Sequence, residues 1–378
     1  MIWEKIIFVL LIRAMEALAY LENMKKMQAA LIEFIDDANN IEENYQNFIS
    51  AIEDLKIKSH RHDFKLLTKI FSNIIQNHHV SPIFYDQIEK ILLYFKEELT
   101  QYLSNNEIID IFKGNKRILL FLFDEQIARI DEYAFQVITS PKYKARKYNK
   151  FFFSEIKQFL SNIVISNLKI PRDYDEKRGS LSEQDMVLKI IQNDNLDEFI
   201  KKKISISMQR KITIFETNFF LCKKEKISLI EYAAFYGSIE IFKYLLEKGQ
   251  KVNTDIWIPA IHGNNLDLIK ILENNDIKPN KALSKKLLKE SIKCHHDEIT
   301  NYILNNYLPN NETRNLNEWA LKYYNFLAFQ NNFENETIFP QLCKYDYYSF
   351  VEILMKTKNI NINAIIEENN TKIIINFI

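Results

Sequence analysis

The stretch Ser228–Asn253, SLIEYAAFYGSIEIFKYLLEKGQKVN, decides the fold. Ala233 and Ala234 are small enough to let a short helix come close to its neighbours. Gly237 can take the left-handed backbone conformation that ends a helix sharply. Beyond it, Ile241, Phe242, Leu245 and Leu246 share one face of a second helix, at i, i+1, i+4 and i+5. Gly249 closes that helix. Two short helices laid back to back cannot bury their apolar faces alone, so such a unit needs neighbours stacked on it.

On these residues the stretch resembles one ankyrin repeat. Ala233, Ala234, Gly237, Glu240, Ile241, Leu245, Leu246, Gly249, Val252 and Asn253 match the family pattern without a gap. Ser228, Leu229 and Glu231 stand where Thr, Pro and His are usual. The resemblance implies a solenoid of helix pairs that binds a protein partner on a concave face made of first helices and turns. By position it points to Phe235 and Tyr236, and to Ile261 and His262 in the next unit, as partner-binding residues. For Phe235 and Tyr236, packing against the adjoining unit is the competing expectation. The resemblance implies no catalytic residue and no cofactor.

The neighbours follow the same plan with less regularity. Residues 254–280 repeat it at a spacing of 26 or 27, with Gly263, Leu268, Leu272 and Asn280 answering Gly237, Ile241, Leu245 and Asn253. The family period is about 33; here Thr254 follows Asn253 directly, so the residues of a protruding finger are missing. Pro259 stands inside the expected first helix, where it loses a backbone bond and clashes with the preceding turn. Residues 284–307 read as a third pair, 316–329 as a weaker one, and 337–363 as a further match. Upstream, Met186–Gln192 and Leu196–Ile200 read as a degenerate first unit, and Ser205–Phe219 as a long loop with a short helix. The array is thus expected over 181–378, behind a polar boundary at Ile170–Ser180.

Residues 24–170 carry short segments with apolar faces at helical spacing, the pattern of a helical domain. Residues 1–23 are apolar, but Arg13 and Glu16 interrupt them, so the expectation is a helix that does not span a bilayer. A membrane or targeting role for residues 2–20, and a translation start at Met24 or Met27, are the alternatives. The layout as a whole resembles proteins of parasitic protists with a helical N-terminal half of unknown function followed by degenerate ankyrin repeats.

Composition narrows the chemistry. The chain has 378 residues, equal numbers of basic and acidic side chains, and only 5 Gly and 7 Pro. Zero net charge gives no general attraction to nucleic acid. The basic stretch Lys142–Lys150 before Phe151–Phe153 is the best local candidate for an acidic partner, and a solvated loop is the simpler expectation. Cys222, Cys294 and Cys343 form neither a zinc spacing nor a disulfide framework, which fits a reducing, cytoplasmic setting. Cys294, His295, His296, Asp297 and Glu298 are potential ligands in a row. Adjacent helical residues point about 100° apart, so these do not converge on one ion, and no metal or cofactor is expected. No phosphate-binding loop, dinucleotide fingerprint, zinc-protease motif or nucleophile elbow occurs. The expectation is therefore an all-α chain that acts as a non-catalytic protein-interaction scaffold with an unknown protein partner. A membrane-associated protein, or an enzyme with a site in the helical half, is the rival.

Overall fold

The computed structural model describes residues 2–79, 81, 83–142, 147–159, 174, 186–308, 315–330 and 338–357. In chain order the helices of the first part are α1 (Ile2–Asp36), α2 (Ile41–Asp54), α3 (Arg61–Asn77), α4 (Phe84–Tyr94) and α5 (Lys96–Tyr102). Next come α6 (Asn105–Phe112), α7 (Lys116–Asp124), α8 (Glu132–Thr139), α9 (Tyr148–Phe151) and α10 (Phe153–Phe159). Then follow α11 (Met186–Gln192), α12 (Leu196–Lys201), α13 (Leu229–Tyr236), α14 (Ile239–Glu247), α15 (Trp257–His262) and α16 (Leu266–Asn274). The last are α17 (Lys281–Cys294), α18 (Asp297–Tyr307), α19 (Leu316–Lys322), α20 (Ile338–Lys344) and α21 (Tyr348–Thr357). Among the described residues the fold is mostly helical; β1 (Gln209–Lys211) and β2 (Lys226–Ser228) pair antiparallel, with Arg210 opposite Ile227.

The chain divides into two compact units, one of residues 1–70 and 311–378, the other of residues 71–310. The boundary expected at 170–181 falls within the second of these ranges. A helix pair at the end of the chain packs with the first helices, and the middle of the chain forms a unit of its own. Apart from Tyr174, the boundary stretch Ile170–Ser180 lies outside the described residues, as do Pro82, Asn359–Asn363 and the chain end.

In the first unit α1 runs unbroken past Met24, and its buried seam of Ala17, Leu21, Met24, Met27, Leu31, Phe34 and Ile35 packs on α2 and α21. Gln28, fully buried, donates to the Tyr324 carbonyl at 2.8 Å and accepts from the Phe326 N–H at 2.7 Å. Among the described residues no helix is long and apolar enough to cross a membrane.

The second unit holds the stretch from which the fold was read. Ser228 caps α13 through a capping box: its hydroxyl accepts the Glu231 N–H at 3.3 Å, and the Glu231 carboxylate accepts the Ser228 N–H at 3.1 Å. Glu231 thus serves as the acidic member of the capping box at the start of α13. Gly237 ends the helix at φ +67°, with the Gly237 N–H on the Ala234 carbonyl and the Ser238 N–H on the Ala233 carbonyl. The same pair of bonds closes α11 at Asp194 and α17 at His295, and in the first unit α19 at Tyr324 and α20 at Asp346.

First helices pack on one another in the order α11, α13, α15, α17, and second helices α12, α14, α16 follow alongside. The inter-helix turns line up along one edge. Asp194 caps the next second helix, accepting the Glu240 and Ile241 N–H groups at 3.0 Å each. A Cβ on Gly237 would lie 2.6 Å from the Gly263 carbonyl oxygen, and one on Gly263 would overlap the Ala234 carbonyl oxygen. Gly263 itself sits at φ −70°; the left-handed residue is Asn264, 27 positions after Gly237 (264 − 237). Gly263 thus serves close approach of two turns, and the turn geometry follows the 27-residue spacing of the other matched positions.

Pro259 is accommodated because the helix starts late. Thr254–Ile256 forms a 3-10 turn, α15 begins only at Trp257, and Pro259 is its third residue. There the missing N–H would have had no intrahelical partner in any case. Pro340 is likewise the third residue of α20.

Candidate functional site

The loop that showed no period in sequence turns out to shape the site. Residues 212–225 lie between β1 and β2 and cross the row of first helices. Helices of the same unit hold this insert. Buried Lys116 donates to the Ile214 carbonyl at 2.6 Å, Lys147 donates to the Ile212 carbonyl, and the Tyr85 and Thr217 hydroxyls meet at 3.2 Å. Within the insert the Cys222 thiol donates to the Glu216 carbonyl at 2.9 Å. Phe220 then stacks on Phe235, centroids 5.6 Å apart and planes 7° apart, and lies 4.6 Å from the His262 ring.

The four residues expected to bind a partner are placed as follows. Phe235, Ile261 and His262 are buried, and Tyr236 is only partly exposed, packed edge-on to Phe235 and against Tyr232. The four belong to the row of first helices, but the insert and the neighbouring helices cover that row.

Under this cover three groups meet. His262 ends α15, and Glu290 and Cys294 are one helical turn apart on the face of α17 that packs on α15. His262 Nε2 lies 3.0 Å from Glu290 Oε1, and Cys294 Sγ lies 3.6 Å from His262 Nδ1. Lys293 donates to the same carboxylate oxygen at 2.6 Å. The chemistry sets the protons. Burial above all holds the imidazole below its usual range, so His262 is neutral and donates from Nε2 to an ionised Glu290, while Nδ1 accepts from the thiol. Burial alone would raise the Glu290 carboxyl; the bond from His262 and the Lys293 ammonium outweigh it and hold the carboxyl down at about 2. Burial pushes the Cys294 thiol well above its usual value.

A second layer fixes the α17–α18 turn. The end of α3 reaches it through His78, whose Nδ1 lies 2.8 Å from the Cys294 carbonyl oxygen, and through the His79 N–H on His296 Nε2 at 3.3 Å. Nδ1 of His296 lies 2.8 Å from the Ile261 carbonyl oxygen, and Nε2 of His295 lies 3.1 Å from Asn73 Oδ1. Within the run Cys294–Glu298, then, Cys294, His295 and His296 face different partners, and among the described residues Cys294 alone of the run joins a ligand-type cluster. That cluster takes Glu290 from the same helix and His262 from the neighbouring one. The Glu290–Cys294 spacing was readable as one helix face. The contribution of His262 depends on how α15 stacks on α17.

As a nucleophile Cys294 is poorly served: its thiol is fully buried and held protonated. As donors, a thiol, an imidazole and a carboxylate within 4.8 Å of one another are the set that binds a zinc-class ion. Comparison of the chain with protein-family models, with curated proteins and with solved structures gave no match.

Proposed function

We infer that the second unit carries a degenerate ankyrin-type array and that the protein is a non-catalytic scaffold for another protein. The observation that carries this reading is recurrence. Successive helix pairs close with the same left-handed turn, and their first helices stack in order. Such an array offers extended surface and no chemistry of its own.

The covered first-helix row leaves the two edges to meet a partner. The inter-helix turns carry Asp194, Asp197, Glu198, Glu240, Asp267, Asp297 and Glu298, at the N-termini of second helices, where negative charge opposes the helix dipole. The opposite edge, where second helices run into the next unit, exposes Lys201, Lys202, Lys203, Lys248, Lys251 and Lys278 against Glu247, Asp255 and Asp276. The partner that fits the basic edge is a protein with an acidic surface.

Affinity capture with the full chain tests this. Proteins held by the wild type and by a Lys243→Glu/Lys270→Glu control, but released by Lys201→Glu/Lys202→Glu/Lys251→Glu, support it. Capture that ignores the edge reversal, or no capture at all, counts against it.

A further inference from the structure

We propose that His262, Glu290 and Cys294 form a binding site for one zinc-class divalent ion that clamps two neighbouring helix pairs together. Cys294 Sγ, a Glu290 oxygen and a His262 ring nitrogen lie within 4.8 Å of one another before any ion is added. Ligand bonds of about 2.0–2.3 Å at tetrahedral angles place donor atoms roughly 3.3–3.8 Å apart. The Sγ–Nδ1 separation of 3.6 Å already lies in that range, and the Sγ–Nε2 separation is 4.0 Å. Glu290 Oε1 now sits on Nε2 and Cys294 Sγ beside Nδ1, so convergence on one ion calls for side-chain rotation of Glu290 and His262.

The surroundings suit an ion of this class. Thiolate and imidazole select zinc over calcium or magnesium, which prefer oxygen. Phe220 and Phe235 flank the imidazole and keep bulk water from that side. Glu290 and Lys293, at side-chain exposures of 20% and 17%, mark the way in and the place of a fourth, water ligand. Lys293 and His262 both bond Oε1 of Glu290, and a carboxylate carries a second oxygen. Binding forms a metal–sulfur bond and breaks the S–H bond; the proton leaves to solvent and no electrons move. The site then holds thiolate, carboxylate and neutral imidazole around a 2+ ion, which offsets the two negative charges.

The two donors on α17 and the one on α15 make the ion a cross-link between consecutive pairs, so it stabilises the array when bound. Cobalt(II) titration of the full-length chain tests the proposal. A near-ultraviolet thiolate-to-cobalt band should saturate at one equivalent, disappear on adding Zn²⁺, persist in Cys222→Ser and vanish in Cys294→Ser. Zn²⁺ alone should raise the melting temperature of the wild type and leave that of Cys294→Ser unchanged. No band and no shift of the melt in the wild type, or a band that survives Cys294→Ser, overturns it. Should Cys294→Ser lose its helical circular dichroism, Glu290→Gln replaces it and should weaken cobalt binding about tenfold or more; unaltered cobalt binding there is equally decisive against the site.

Discussion

At Gly237 two demands coincide. The residue is left-handed at φ +67°, and its Cα faces the Gly263 carbonyl oxygen so closely that a Cβ would stand 2.6 Å away. Gly249 is left-handed too, at φ +84°, but a Cβ there meets nothing within 4 Å. The two glycines therefore separate conformational strain from close approach. Gly249→Ala should cost about 1 kcal/mol, the strain alone, and Gly237→Ala about 2 kcal/mol or more. Urea melts of the two variants check this, and equal losses would show that the turns do not touch. Glu231 makes a second claim at this scale. Burial raises its carboxyl, but the Lys224 ammonium and the Ser228 N–H outweigh it and hold the carboxyl below its usual value. A carboxyl depressed by folding stabilises the folded state above the unfolded value of about 4.3 and loses that contribution as pH falls through the folded value. Glu231→Gln should accordingly melt below the wild type at neutral pH, and the gap should close as the pH falls below the unfolded value and through the depressed folded one. A gap that persists in acid contradicts the assignment.

At the scale of elements, one helix pair was legible because it uses glycine where the backbone needs it. Gly237 and Gly249 announce α13 and α14. The equivalent turns of the other pairs use Asp194, Asn264, His295, Tyr324 and Asp346, whose left-handed backbones carry no compositional signal. Only Asn and Asp among these adopt that conformation at all readily. The insert was illegible for another reason: residues 212–220 have no helical or strand period, and they gain their place from Lys116, Lys147 and Tyr85, far away in sequence. So Phe235, Tyr236, Ile261 and His262 could be placed in the row of first helices, but not under the loop that covers it. Phe220 covers Phe235 and the His262 ring. Phe220→Ala should lower stability by about 2 kcal/mol, less than for a fully buried ring, and should speed amide exchange in α13 and α15. An unchanged melt would mean that the insert rests on these helices without holding them.

For the molecule as a whole, apolar periodicity sufficed to identify a helical chain, while the division into units depended on which distant segments meet. Residues 315–357 read in sequence as more of the same array, yet α21 packs on α1, through seams that periodicity alone cannot pair. If the second unit is the repeat array proposed above, each helix pair draws stability from itself and its immediate neighbours. Local protection should then follow position in the stack. Among the described residues, α13 to α16 have helix pairs on both sides, whereas α11 and α12 pack chiefly on α13 and α14. Hydrogen exchange of the full-length chain, read amide by amide, tests this most directly. The account predicts the slowest exchange in α13 to α16, faster exchange in α11 and α12, and in Gly237→Ala a loss of protection centred on α13 to α16. Uniform protection across residues 186–308, or the fastest exchange in α13 to α16, would contradict it.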